Sequence, residues 1–292
     1  MKIILSGYPG SKKIIPLSSY LLTKYTKNYF DIHFLNYGSY NGEIFNCNYV
    51  ELSKYQRKIG DWGSDILNYL KKLDDKYIIF SLDDFLISTW IDIDFLDNFL
   101  HTTLKNIDFL NIKLGILPVL IRPKDCMLTN TSKDLLKLKY DASYKLSTQY
   151  TIWNRSKLVK LIENYSYSFF WKKNLTPWDF ELQIDQRINL SDECFYCLKC
   201  PQFIYYGGSS LSSRNKDKIC VNGLKEEDLK YFISNNYLNE NNLILSHMSK
   251  KHLNFDFTFD QQFYLKPHPY DDVNEVKIFK KESNILYNER DK

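Results

Sequence analysis

Two adjacent carboxylates stand where this sequence has most reason to do chemistry. Asp83 and Asp84 interrupt "YIIFSLDDFLI" (Tyr77 to Ile87), a run that otherwise reads as a buried strand. An ionised Asp is costly to bury unless something pairs with it. The two acids therefore either lie exposed at a strand end, cap the next segment, or hold a cation. Mg²⁺ and Mn²⁺ are commonly held by one or two carboxylates together with substrate phosphates. A strand-end Asp pair is thus a natural seat for a metal–diphosphate. Neighbouring strand residues point to opposite faces, so one acid can face a ligand while the other holds the loop. Asp84, the last acid, is the expected direct ligand.

Other chemistry-bearing residues are more ambiguous. "SGYPG" after the first strand, beginning Ser6-Gly7-Tyr8, suits a nucleotide pocket and equally a turn. Asp61 and Trp62 open a helical stretch, where Asp61 could be a cap and Trp62 a core residue. Thr176-Pro177-Trp178-Asp179 fits the [ST]-x-x-[DE] capping box. "CFYCLKC" (Cys194, Cys197, Cys200) has metal-like spacing but lacks a second CxxC pair; it reads as a strand with Cys194, Tyr196, Leu198 and Cys200 on one face. His247, His252 and His268 read as surface residues.

The elements that must position these residues alternate. "KIILSGY" reads as a first strand, "PLSSYLLTKYTKNY" as a helix and "FDIHFLNY" as a second strand. "DWGSDILNYLKKL" is an amphipathic helix, followed by the strand "YIIFSL". "DIDFLDNFLHTTLK" is a further helix, with strand candidates "IDFLNIKL" and "ILPVLI" after it. Later, "YKLSTQYTIWN" alternates like a strand, "SKLVKLIENY" is a short helix, and "TPWDFELQIDQRI" opens with Thr at the cap and Pro at the first helical position. The order predicts an α/β sheet covered by helices on both faces, with ligands beyond the carboxyl ends of its strands. After about Asn222 the chain reads as polar and irregular, a C-terminal extension with a loosely held tail.

Composition narrows the function classes. The 292 residues carry 39 basic and 35 acidic side chains, a net charge of +4. No block of five or more like charges appears, which argues against a nucleic-acid binder. Ten Gly and eight Pro are too few for disorder or low complexity. "IIL" after Lys2 is too short for a signal peptide, and the longest apolar run, Leu114 to Ile121, is too short to span a bilayer. The expectation is a soluble, cytoplasmic protein with no transmembrane segment. Six Cys in such a chain need no bridge.

The combination "DWGSDILNYLKKLDDKYIIFSLDDFLI" resembles the core of nucleotide-sugar glycosyltransferases of the GT-A fold, as found in bacterial surface-glycan clusters and large DNA viruses. "YKLSTQYTIWNRSKLVKLI" followed by "TPWDFE" resembles their acceptor-side half. The resemblance covers roughly residues 1 to 210 and departs at Ser81, where a strict DxD motif has its first Asp. It implies a Rossmann-like mixed sheet flanked by helices over residues 1–222, with a nucleotide half to about 120 and an acceptor half from 121, then the extension 223–292. It implies a UDP-type sugar donor, a glycan or glycoconjugate acceptor, and Mn²⁺ or Mg²⁺ at Asp84 and Asp83. Ser6, Gly7, Tyr8, Asp61, Trp62 and Asp83 would contact the nucleotide; Trp178 and Trp153 would meet the acceptor or sugar. An inverting mechanism needs an acidic general base, for which Asp179 is placed slightly ahead of Glu181 because its helix should open toward the site. Two other readings stay open: a nucleotidyltransferase-like enzyme, for which "SGYPGSKK" would be a faint phosphate loop, and a non-catalytic glycan-binding relative.

Overall fold

The computed structural model describes residues 1–54, 61–88, 90–115, 125–142, 145–167, 175–182, 184, 190–191, 193–199, 202–203, 205–207, 219–220, 224–237 and 243–244. Apolar runs pair first. Besides a short pair formed by Ile219–Cys220 and Leu243–Ile244, the strands are β1 (Lys2–Ser6), β2 (Asp31–Asn36), β3 (Asn48–Glu51), β4 (Tyr77–Leu82), β5 (Phe85–Ile87), β6 (Asn111–Lys113), β7 (Cys126–Leu128), β8 (Leu135–Leu138), β9 (Thr151–Asn154), β10 (Phe195–Leu198) and β11 (Tyr205–Gly207). Nine of them form one mixed sheet in the order β3-β2-β1-β4-β9-β6-β10-β8-β7. β1 runs parallel to β2 and β4, while β9 runs antiparallel to both β4 and β6. β11 and β5 make a separate two-stranded ribbon.

Helices cover both faces, the α/β arrangement expected. On one face, α1 (Ile15–Tyr25) and α3 (Ile93–Asn98) bury Leu17, Leu21, Leu22 and Leu96 against Ile3, Leu5, Phe34 and Ile79. On the other, α2 (Trp62–Leu70), α4 (Arg155–Tyr167) and α5 (Pro177–Leu182) bury Trp62, Ile66, Leu158, Ile162 and Phe180 against Ile4, Ile78, Phe80 and Trp153. Strands covered on both sides read as continuous apolar runs, which is why β1 and β4 were legible.

Several expected elements differ. The helix expected over Asp92 to Lys105 ends as α-helix at Asn98, widens into a π turn over Phe99–Thr103 and tightens into a 3₁₀ turn to Asn106. The strand expected from Tyr144 is formed only from Thr151. Residues 145–150 instead cross the strand ends, where Leu82 N donates to Thr148 O at 3.0 Å and Leu114 N to Tyr150 O at 3.0 Å. "ILPVLI" lies outside the described residues. The polar region expected after Asn222 contains α6 (Glu226–Ser234). Its Phe232 is fully buried beside Tyr20, Phe45 and Tyr237. Among the described residues no helix is long and apolar enough to cross a membrane.

Candidate functional site

The carboxyl end of β4 is built as a junction. Asp83 is 3% exposed, and its backbone N–H donates to Ser6 O at 3.1 Å, tying the turn to the end of β1. Its side chain is hydrogen-bonded to Ser11 Oγ, in the 3₁₀ turn Pro9–Ile14 that leads into α1. Asn36, at the end of β2, donates from Nδ2 to the same Ser11 Oγ at 3.1 Å. The ends of β2 and β4 thus converge on one hydroxyl. Gly7 makes this possible: a Cβ there would lie 2.0 Å from Asp83 Oδ2 and 2.5 Å from Ser11 Oγ. Asp83 is held well above the ordinary carboxylate range, first by burial and then by the charge of Asp84.

The two acids diverge. Asp83 is engaged with the loop after β1, whereas Asp84 Oδ1 is buried and accepts no hydrogen bond. Burial and then the charge of Glu181 push the Asp84 carboxyl up to about 6. Ser81, at the departure from DxD, is fully buried and accepts from Tyr150 N at 3.3 Å. It serves the joint between β4 and the segment before β9.

Tyr8 is the exposed wall of the site. Its ring lies across Gly10, where a Cβ would come 2.6 Å from Tyr8 Cε2, and it is 39% exposed. Burial of the hydroxyl, with the charges of Asp83 and Asp84, pushes it up to about 12. Trp62 is nearly buried; its indole N–H donates to Ser6 Oγ at 2.7 Å, and its ring packs on Phe80 and Phe180. It braces Ser6 from within and offers no face to a base. Asp61 precedes α2 as its N-cap residue without a side-chain capping bond. Gly63 N donates to Leu175 O at 3.0 Å, joining the starts of α2 and α5.

On α5 the two acids have different employment. Asp179 Oδ2 accepts from Thr176 Oγ1 at 2.8 Å and from Thr176 N at 3.3 Å, while Thr176 Oγ1 accepts from Asp179 N at 3.1 Å. That is the capping box read from the sequence. Glu181 Oε1 accepts from both Thr148 N and Thr148 Oγ1 at 2.6 Å, so Thr148 holds one oxygen while the carboxylate's charge reaches Asp84. Trp153 is fully buried, its ring 5.6 Å from that of Phe180. The sugar platform expected there is a core residue, because β9 is central in the sheet. The Trp178 side chain lies outside the described residues, as do His247, His252 and His268.

Metal fit rests on few donors. Among the described residues no group of three or more His, Cys, Asp or Glu is arranged to hold an ion. The orphaned Asp84 oxygen beside a second carboxylate is nevertheless a hard-oxygen donor set of the kind Mg²⁺ and Mn²⁺ complete with phosphates and water. "CFYCLKC" forms β10 as expected, with Cys194, Tyr196 and Leu198 toward the α1 face and Cys197 on the other. Cys200 lies outside the described residues. Sequence reading missed Ser11, Asn36, Thr148 and Lys113. Only Lys113, a lone cation in the apolar run "IDFLNIKL", left a signal.

No protein-family description matches the chain, and no curated protein matches it. Among solved structures it is similar to residues 1–349 of S. aureus TarS, at 14% identity and a TM-score of 0.40 over 74% of this chain and 63% of that one. The same protein in complex with UDP gives 14% identity and 0.41 over 70% and 60%. A UDP-glucose pyrophosphorylase complexed with UDP-glucose gives 14% and 0.41 over 80% and 99%. The chain therefore spans about three fifths of the length of the TarS structures. Likenesses this distant assign no activity.

Proposed function

We propose that this chain is a glycosyltransferase that moves a sugar from a nucleotide-sugar donor, UDP-linked, to a glycan or glycoconjugate acceptor. The carrying observation is the unpartnered, buried Asp84 oxygen at the carboxyl end of β4, with Glu181 near enough to act on it. The motif order from Asp61 to Glu181 supports the same reading. In it Asp84 holds Mn²⁺ or Mg²⁺, and Asp83 keeps the loop after β1 in place. Ser6, Gly7, Tyr8 and Asp61 at the start of α2 flank the base and ribose, with Trp62 bracing Ser6 from behind. A divalent cation, when bound, supplies Lewis-acid stabilisation of the departing diphosphate.

The base role goes to Glu181 in this reading. The acceptor hydroxyl oxygen bonds to the donor's anomeric carbon as the bond to the diphosphate breaks, and the hydroxyl proton passes to Oε2 of Glu181, the oxygen that Thr148 does not hold. Asp179 is engaged with Thr176 and has the weaker claim. Trp178 remains available as a sugar platform.

Calorimetric titration of UDP into wild type and Asp84→Asn, each with and without Mn²⁺, tests the donor site. Metal-dependent binding lost in the variant is expected; equal, metal-independent affinity in both proteins overturns it. Incubation with UDP-sugars should release UDP. With pyrophosphate added, release of sugar 1-phosphate together with UTP would favour a nucleotidyltransferase. Glu181→Gln should lower transfer by roughly 10²- to 10⁴-fold with little change in melting temperature. Asp179→Asn should mainly cost helix stability, about 1 kcal/mol.

A further inference from the structure

Lys113 ends β6 as a cation in the interior. It pairs across the sheet with Thr151, which pairs in turn with Phe80 of β4. Residues directly opposite share a face, so Lys113 lies on the face covered by α2, α4 and α5. It is 2% exposed. Its Nζ donates to Ser147 Oγ at 2.9 Å. Burial pulls the ammonium down to about 7, against the attraction of Glu181 and of the Cys197 thiol.

A methylene side chain without charge would fill this place at no desolvation cost. The contacts indicate what the ammonium does instead. Ser147, its anchor, precedes Thr148, which makes both bonds to Glu181 Oε1. Thr148 O in turn accepts from Leu82 N, the residue before the acid pair. One dipeptide is thereby held between Lys113, the end of β4 and Glu181. We propose that Lys113 is a positioning residue for Glu181: anchored on Ser147, its Nζ fixes the Thr148 clamp that holds the carboxylate.

The catalytic consequence rests on Glu181 being the base, so two readouts are needed. Lys113→Met, Glu181→Gln and the double variant form a cycle measured by donor turnover and by urea denaturation. Lys113→Met should lower kcat on the order of 10- to 10²-fold, as a small misplacement of a reacting group does, with donor KM unchanged. The double variant should be no slower than Glu181→Gln alone, and the stability changes should likewise not add. Wild-type kcat in Lys113→Met, or additive losses in the urea cycle, overturns the proposal. Full turnover in Glu181→Gln, or no turnover in wild type, together with a non-additive urea cycle, upholds the Lys113–Glu181 link and overturns the base reading. Should Lys113→Met fail to fold, Ser147→Ala removes only the anchor hydroxyl and takes its place in the cycle.

Discussion

At the scale of single residues, the site is organised by what surrounds each acid. Asp83 and Asp84 are adjacent, yet one is bonded to Ser11 and the other keeps an unsatisfied oxygen. Gly7 is the residue on which this division turns. A methyl group at Gly7 would overlap Asp83 Oδ2 and Ser11 Oγ, and both are fixed by Asn36 and the backbone of Ser6, with little room to withdraw. Gly7→Ala should therefore cost about 1–3 kcal/mol, the usual range for overpacking, and weaken UDP binding as Asp83 shifts. Urea denaturation and calorimetry check both. A variant of wild-type stability and affinity would show that Asp83 can move freely, contrary to its packing.

At the scale of elements, α6 packs into the same core as α1. α6 stacks Tyr231 on Tyr20 of α1, with centroids 4.8 Å apart. Its buried Asp228 accepts from Lys24 Nζ and Tyr25 Oη, each at 2.6 Å. The boundary expected at residue 222 thus lies before a segment that closes the core over α1. Phe232→Ala should destabilise the protein by about 3–5 kcal/mol, as deletion of a fully buried aromatic ring does. Ending the chain at 222 should leave it unable to fold cooperatively. A sharp thermal transition in the shortened chain, matching the full one, would support the boundary at 222.

At the scale of the whole molecule, the sheet carries an internal charge whose burden depends on pH. The Lys113 ammonium ordinarily titrates near 10.4, but in the folded protein it does so at about 7. Between those values the unfolded chain binds a proton that the folded chain does not, so stability rises with pH. The contribution is fully present above the unfolded pKa and is lost as pH falls through the folded one. Glu181 and Cys197 are the titratable groups that act on it. Wild type should gain on Lys113→Met from about pH 7 to pH 9.5, by at most roughly 1.4 kcal/mol per pH unit. A constant difference between the two urea midpoints over that range would mean that Lys113 stays charged in the folded state.

The sequence by itself determined β1 and β4, because both are covered on both faces and their apolar runs are visible without context. It also determined the acid pair at a strand end and the capping box at Thr176 and Asp179, since both are local patterns. Local pattern could not say which way each acid faces, because that depends on Ser11 and Asn36, which reach Asp83 from separate segments. Nor could it separate Asp179 from Glu181, whose clamp comes from Thr148. Trp153 and Trp62 read from sequence as core residues to which the resemblance gave ligand roles, and the structure buries both, since the sheet centre and α5 close over them. The alternation before β9 looks like strand because its polar residues alternate. Only the tertiary structure sends that segment across the strand ends, where Ser147 and Thr148 meet Lys113 and Glu181.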